Sequence, residues 1–134
     1  EMLQRGHPID SLEPVVTADE LVECQQAVRD VHIDQRIREY LLEIVHDTRD
    51  HEDLALGGSP RASIALFRTS QAMAIVRGRN YVLPDDVKRI VAPVMIHRLI
   101  LKPESRLRKV TADQIVREIV AEIAVPTIEQ GQLS

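Results

Sequence analysis

The chain has 134 residues, 44% of them hydrophobic but only 2% aromatic, and carries a formal net charge of −4. That length suits one domain with an aliphatic core, which favours packed helices over an aromatic-rich β sandwich. The acidic balance and scarce aromatics exclude any global attraction to nucleic acid or anionic lipid and leave few platforms for base stacking.

Cys24 is the single cysteine; it excludes an intrachain disulfide framework or a cysteine-based zinc cluster, and it fits a reducing cytoplasm. No apolar run approaches the roughly 18 residues of a membrane span, so membrane insertion is not expected, and the N-terminus lacks a signal-peptide core. The sequence begins at Glu1 rather than Met, as expected of a piece of a longer protein.

Residues 1–16 contain Gly6, Pro8 and Pro14 without a helical period and are expected to form a connector. Thr17 to Glu20 spell a capping box, and the helix they open places Leu21, Cys24 and Val28 on one face. Asp34 caps a second helix with a stripe of Ile37, Tyr40, Leu41, Ile44 and Val45, which ends in the charged run "HDTRDHED". Ser59-Pro60 reads as a cap followed by proline at the first helical position, opening a third helix that stops at Gly78. Ala62, Leu66, Thr69, Met73 and Val76 form one stripe, and Ile64, Phe67, Ala74 and Ile75 another, as for a central helix.

Pro84, Asp85 and Asp86 start a fourth helix with Val87, Ile90, Val91 and Val94 inward, and Pro93 is expected to kink or end it. Thr111 to Gln114 form another capping box, before a fifth helix that turns Ile115, Ile119 and Ile123 inward. Pro126 ends it, leaving residues 126–134 as a flexible tail. The expected fold is all-α, a bundle of about five helices, with one short strand pairing around "RNYVL" and "RLIL".

Five features carry candidate chemistry. In "HDTRDHED", His46 with Asp50 and Asp47 with His51 have helical metal-ligand spacing, but no further ligand converges on them, so no metal site is expected. His97 is placed to cap carbonyls at a helix end, and Cys24 to act as a small core hydrophobe. The segment 98–109 holds Arg98, Lys102, Arg106, Arg108 and Lys109 against Glu104 alone, a patch through which a stand-alone adaptor would bind an acidic protein or nucleic acid. Walker motifs, a dinucleotide glycine fingerprint and a serine-nucleophile elbow are absent, so the chain by itself is expected to be inactive.

The fifth feature is "GGSPRAS", residues 57–63. Arg61 stands in the first turn of its helix, where it opposes the dipole by roughly 0.3–1 kcal/mol when exposed. The same helix end, reached through Gly57-Gly58, can bind an anion, and a cation beside that anion would add a charge-assisted contact. Arg36 stands in a similar place without any glycine approach, so the physics leaves both a tolerated surface arginine and an anion ligand open.

Residues 54–101 resemble the C-terminal lid domain of MoxR-type AAA+ ATPases, the methanol dehydrogenase regulatory protein family. "GGSPRAS", "GRNYVLPDDV" at 78–87 and "HRL" at 97–99 carry the match, and "IDSLEPVVTADEL", "VHID" and Thr48-Arg49 fit the same pattern. The resemblance implies a helical lid, residues 17–125, that closes over ATP and Mg2+ held by an ATPase core of the same chain. It implies that Arg61 is the sensor-2 arginine reaching the γ-phosphate, with Gly58, Ser59 and Pro60 aiming it. Hexameric rings with neighbouring subunits, chaperone-like remodelling and a von Willebrand A-domain partner protein are also implied. Leu83 departs from the pattern, since a threonine or serine cap is expected before Pro84.

Overall fold

The computed structural model describes residues 8–127. The first seven residues of the expected connector, and 128–134 of the expected tail, lie outside them. Six α-helices occur among the described residues: α1 (Ala18–Arg29), α2 (Gln35–Asp50), α3 (Pro60–Val76), α4 (Pro84–Met95), α5 (Pro103–Leu107) and α6 (Ala112–Glu122). Two short strands, β1 (Leu54–Leu56) and β2 (Ile100–Leu101), and 3-10 turns at Pro8–Ser11 and Ile96–Arg98 complete them. No helix among them is long and apolar enough to cross a membrane.

The helix starts follow local chemistry. At α1 the Glu20 N–H donates to Thr17 Oγ1 (3.2 Å) and the Thr17 N–H to Glu20 Oε2 (2.7 Å). The same reciprocal box forms between Thr111 and Gln114 at α6, and Asp34 accepts from the Arg36 N–H at α2 (2.8 Å). Each satisfies donors that a bare helix end leaves unpaired.

The Leu83 departure at α4 is compensated by its neighbours. Leucine offers no acceptor oxygen, but the buried Asp86 carboxylate accepts from the Leu83 N–H (2.8 Å) and takes both terminal nitrogens of Arg79 (2.7 and 2.9 Å). Half of the capping box survives, and the carboxylate enters the core already paired. Pro93 does not stop α4 at once. The helix runs two residues further, to Met95, and then tightens into the Ile96–Arg98 turn.

The core is aliphatic, as composition requires. Ile37, Tyr40, Leu41, Ile44 and Val45 of α2 meet Ala62, Leu66 and Ala74 of α3, Val87, Ile90, Val91 and Met95 of α4, and Ile115, Val116 and Ile119 of α6. The buried stripe of α3 is narrower than its apolar content promises. Ser70 and Gln71 are buried, while Ile64 and Val76 are 63% and 82% exposed. Both buried polar groups are satisfied: Ser70 Oγ donates to the Leu66 carbonyl (2.7 Å) and Gln71 Nε2 to the Val31 carbonyl (2.9 Å). The first helix departs further. No residue of α1 is buried, and Cys24, expected in the core, is exposed. A face of Leu, Cys and Val is too small an apolar stripe to seat a helix deeply.

The strand pairing is also redistributed. "RLIL" supplies β2, but its antiparallel partner is β1, with Leu54 opposite Leu101 and Leu56 opposite Ile100. "RNYVL" instead makes one parallel bridge, Tyr81 with His32, through hydrogen bonds from His32 N–H to the Asn80 carbonyl (2.8 Å) and from Val82 N–H to the His32 carbonyl (3.0 Å). The two pairings tie opposite chain connections: β1–β2 joins the segments flanking α3 and α4, and the bridge joins the α1–α2 and α3–α4 linkers.

Two helix ends turn through left-handed backbone. Gly78 (φ 71°) follows α3, with the Arg79 N–H returning to the Ala74 carbonyl (2.9 Å). At α5 the same role falls to Lys109 (φ 62°), with the Val110 N–H on the Ser105 carbonyl (3.0 Å). A side chain there is strained by roughly 1–2 kcal/mol, so Lys109→Gly, after the added chain entropy, is expected to stabilise the fold by about 0.5–1 kcal/mol in urea unfolding.

The corner before β1 is closed by Asp53. Ser105 Oγ donates to Asp53 Oδ1 (2.6 Å), Arg108 pairs with the same oxygen, and the Lys102 N–H donates to the Asp53 carbonyl (2.9 Å). The Ser105 hydrogen bond, followed by the nearby cations, holds the Asp53 carboxyl below its usual range against the opposing effect of burial. A depressed carboxyl contributes stability that is present above its unfolded pKa and is lost as pH falls through its folded one. Asp53→Asn is therefore expected to lose less stability than the wild type as pH drops below about 4, measured by thermal melts across that window.

Candidate functional site

The start of α3 is built on α2. Gly57 packs against the α2 backbone so tightly that an added Cβ would lie 2.4 Å from the Thr48 carbonyl oxygen and 2.6 Å from Arg49 Cα and N. Gly58 is buried, where a Cβ would meet Met95 Cε at 2.8 Å and Val45 Cγ1 at 2.9 Å. Both glycines are thus required for close approach, neither for an unusual φ.

Hydrogen bonds hold what the packing permits. The Gly58 N–H donates to Thr48 Oγ1 (2.8 Å), and that hydroxyl, fully buried, donates to the Val45 carbonyl (2.6 Å). Arg49 Nε donates to the Gly58 carbonyl (2.7 Å). Both polar groups of the Gly58 backbone are therefore gripped by consecutive residues of α2.

Ser59 and Pro60 then set the helix. Ser59 is the N-cap residue with extended backbone (φ −78°, ψ 168°), and Pro60 takes the first helical position. Contrary to the expectation of a serine cap, the Ser59 side chain makes no capping hydrogen bond. The first turn has no acidic residue, and Arg61 projects from it exposed, with no hydrogen bond or ion pair among the described residues. Pro60 has no N–H and the Ala62 N–H donates to the Ser59 carbonyl (2.8 Å), so what this helix end leaves without an internal partner is the Arg61 guanidinium, standing where the helix dipole is already positive.

Arg36, the apparent parallel, is different. Its Nε lies 3.5 Å from Asp34 Oδ1 and its NH1 donates to the Thr127 carbonyl (2.6 Å). That arginine is balanced by the acidic cap of its own helix and by the chain after α6. Only Arg61 of the two is left with its charge uncompensated.

The remaining candidates are accounted for locally. His46 Nδ1 and Asp50 Oδ2 form an exposed pair at 3.4 Å, and no group of three or more metal-ligating side chains occurs among the described residues. Arg98, rather than His97, reaches back to cap a carbonyl, that of Val94. In the basic segment 98–109, Arg98 and Arg108 each hold a partner within the chain, Arg108 from an exposed position, and α5 with the strained Lys109 gives the segment a defined shape. Arg79 and Asp86, inside "GRNYVLPDDV", face each other away from solvent and serve the fold.

The sequence reasoning found Gly58, Ser59, Pro60 and Arg61 but gave Thr48 and Arg49 no local role. No spacing rule joins residues nine or ten apart across a helix end and a strand. Gly57→Ala places a methyl group on immovable backbone and is expected to cost about 1–3 kcal/mol or more, while Gly58→Ala, opposed only by side chains, costs less; urea unfolding of both distinguishes them.

Comparison with known proteins follows this geometry. The AAA lid domain family model matches residues 46–119, which include the glycine approach and Arg61. The chain is 42% identical over 123 residues to "Uncharacterized protein YeaC" of Bacillus subtilis, covering 92% of this chain and 38% of that protein. It is 26% identical over 123 residues to "Chaperone MoxR1" of Mycobacterium tuberculosis, covering 85% and 33%, and 42% identical over 72 residues to "Protein MoxR" of Paracoccus denitrificans, covering 52% and 21%. A crystal structure from Cytophaga hutchinsonii bearing the name "putative ATPase" superposes with a TM-score of 0.81 at 27% identity, over 86% of this chain and 38% of that one. The chain thus spans well under half the length of each of these relatives.

Proposed function

This chain belongs to the AAA lid domain family, as the lid of a MoxR-type AAA+ ATPase, and on that premise we propose that it closes over ATP through Arg61. The observation that carries this reading is the uncompensated Arg61 at an uncapped helix start, beside the paired Arg36. An oxyanion such as the ATP γ-phosphate meets what that end lacks: a partner for the guanidinium, at the positive end of the α3 dipole.

In this reading the lid covers residues 17–125, residues 1–16 lead from the ATPase core, and 126–134 trail from α6. The core supplies the Walker motifs and the carboxylates that hold Mg2+. The lid contributes one cation at the positive end of a helix, and alone it binds nucleotide very weakly and hydrolyses none. Gly58, Ser59 and Pro60 set the direction of α3, and Arg61 stabilises charge on the transferring phosphoryl group. Because Arg61 is fixed to the bundle, its contact with the phosphate ties nucleotide state to lid position.

The finer biology rests on the resemblance and on the name of the mycobacterial chaperone relative. It comprises a hexameric ring with neighbouring subunits, a von Willebrand A-domain partner, and remodelling or maturation of partner complexes. A cytoplasmic setting is supported by the unpaired Cys24. The competing adaptor role through 98–109 is weakened by the pairing of Arg108 with Asp53 and of Arg98 with the Val94 carbonyl.

Arg61→Ala in the full-length protein is expected to lower ATP turnover by about 100-fold, the loss typical of one electrostatic contact to a transition state, with a melting temperature no lower than the wild type, since the substitution relieves a charge opposed to the helix dipole. Near-normal turnover in a folded variant would remove Arg61 from this role.

A further inference from the structure

We infer that Thr48 and Arg49 are positioning residues for Arg61, acting through both ends of the Gly58 peptide; this rests on the proposed role of Arg61. Two polar side chains on consecutive positions of α2 converge on one residue of the α3 approach. Thr48 Oγ1 accepts from the Gly58 N–H (2.8 Å) and Arg49 Nε donates to the Gly58 carbonyl (2.7 Å). The Thr48 hydroxyl is itself held by its own bond to the Val45 carbonyl (2.6 Å), so its lone pair is aimed before Gly58 arrives. Arg61 is three residues beyond Gly58, and only Ser59 and the proline-fixed first position intervene.

This clamp replaces the ordinary means of fixing a helix start. The Ser59 side chain makes no cap hydrogen bond and the first turn carries no acid, so no side-chain cap on α3 itself fixes its entry. A side-chain cap would also fill the end that the phosphate needs. Anchoring the peptide one residue earlier, from a different helix, fixes the direction of α3 while leaving Arg61 open. Arg49 has a second property: only its Nε is spent on Gly58, and no bond of its terminal nitrogens occurs among the described residues. The grip on Gly58 keeps that cation beside the same turn without an internal anion to neutralise Arg61.

The test combines local exchange with a double-substitution cycle in the full-length protein. In Thr48→Val and Arg49→Ala, the Gly58 amide and those of the first α3 turn should exchange about tenfold faster, as expected for loss of one local hydrogen bond, with α6 unchanged. Thr48→Ser, which keeps the hydroxyl, should restore protection. ATP turnover should fall at least about tenfold in Arg49→Ala with little change in KM. The Arg49→Ala/Arg61→Ala double variant should be no slower than Arg61→Ala, because the first residue acts only through the second. Unchanged exchange at Gly58, or a double variant slowed by the product of the two single effects, overturns the inference while leaving the role of Arg61 intact. Near-normal turnover of Arg61→Ala alone instead overturns the reading on which it rests.

Discussion

The arrangement depends on one backbone-to-backbone approach, in which Gly57 lies against the α2 chain at Thr48 and Arg49 with no room for a β-carbon. That approach sets the separation of α2 from β1, and β1 in turn fixes where β2 can pair. It also lets Gly58 sink between Val45 and Met95, so the end of α4 packs onto the same point. Three helices and a strand pair meet there for lack of two methyl groups. Interiors this dense transmit displacement rather than absorb it.

The two ends of the bundle handle positive charge in opposite ways. At the end formed by the α1–α2 and α3–α4 linkers, Arg79 is matched by buried Asp86, and the pair doubles as a partial cap for α4. At the other end Arg61 has no counter-charge, and the neighbouring Arg49 is bonded only to a carbonyl. Exposed cations near a helix N-terminus cost a fraction of a kcal/mol to about 1 kcal/mol, a tolerable loss for a fold with so continuous an aliphatic core. The asymmetry follows from where carboxylates stand: Asp34 and Asp86 begin their helices, whereas α3 begins with serine, proline and arginine.

Much of this was legible in the sequence. Four of the six helices announced themselves through caps and period, because Thr17, Asp34, Asp86 and Thr111 act within three residues of the groups they bond. The third start, at Ser59-Pro60, was placed correctly although its side-chain cap is not made. What escaped depended on distant partners. The short helix at Pro103–Leu107 looked like a basic connector, since its stability comes from Ser105 reaching Asp53, 52 positions away. Ser70 and Gln71 read as interruptions of an apolar stripe until Gln71 is seen to satisfy the Val31 carbonyl. Cys24 and its neighbours carried a helical period, but period alone does not say how deeply a face is buried. At the candidate site, the identity of Arg61 was legible and its freedom was not, because only coordinates reveal that Arg36 is paired and Arg61 is not.

The lack of any buried residue in α1 has a thermodynamic meaning of its own. A helix that seats no side chain in the core adds little to the cooperative unit formed by α2, α3, α4 and α6, so its opening free energy is set by its own capping box and by shallow contacts with α3. A helix held this way opens at a lower free energy than the bundle it is attached to. Leu21 and Val22, each about half exposed, give α1 apolar surface that gains most when something outside the bundle covers it. The order of α1 would then report on docking, where the order of α3 reports on the core.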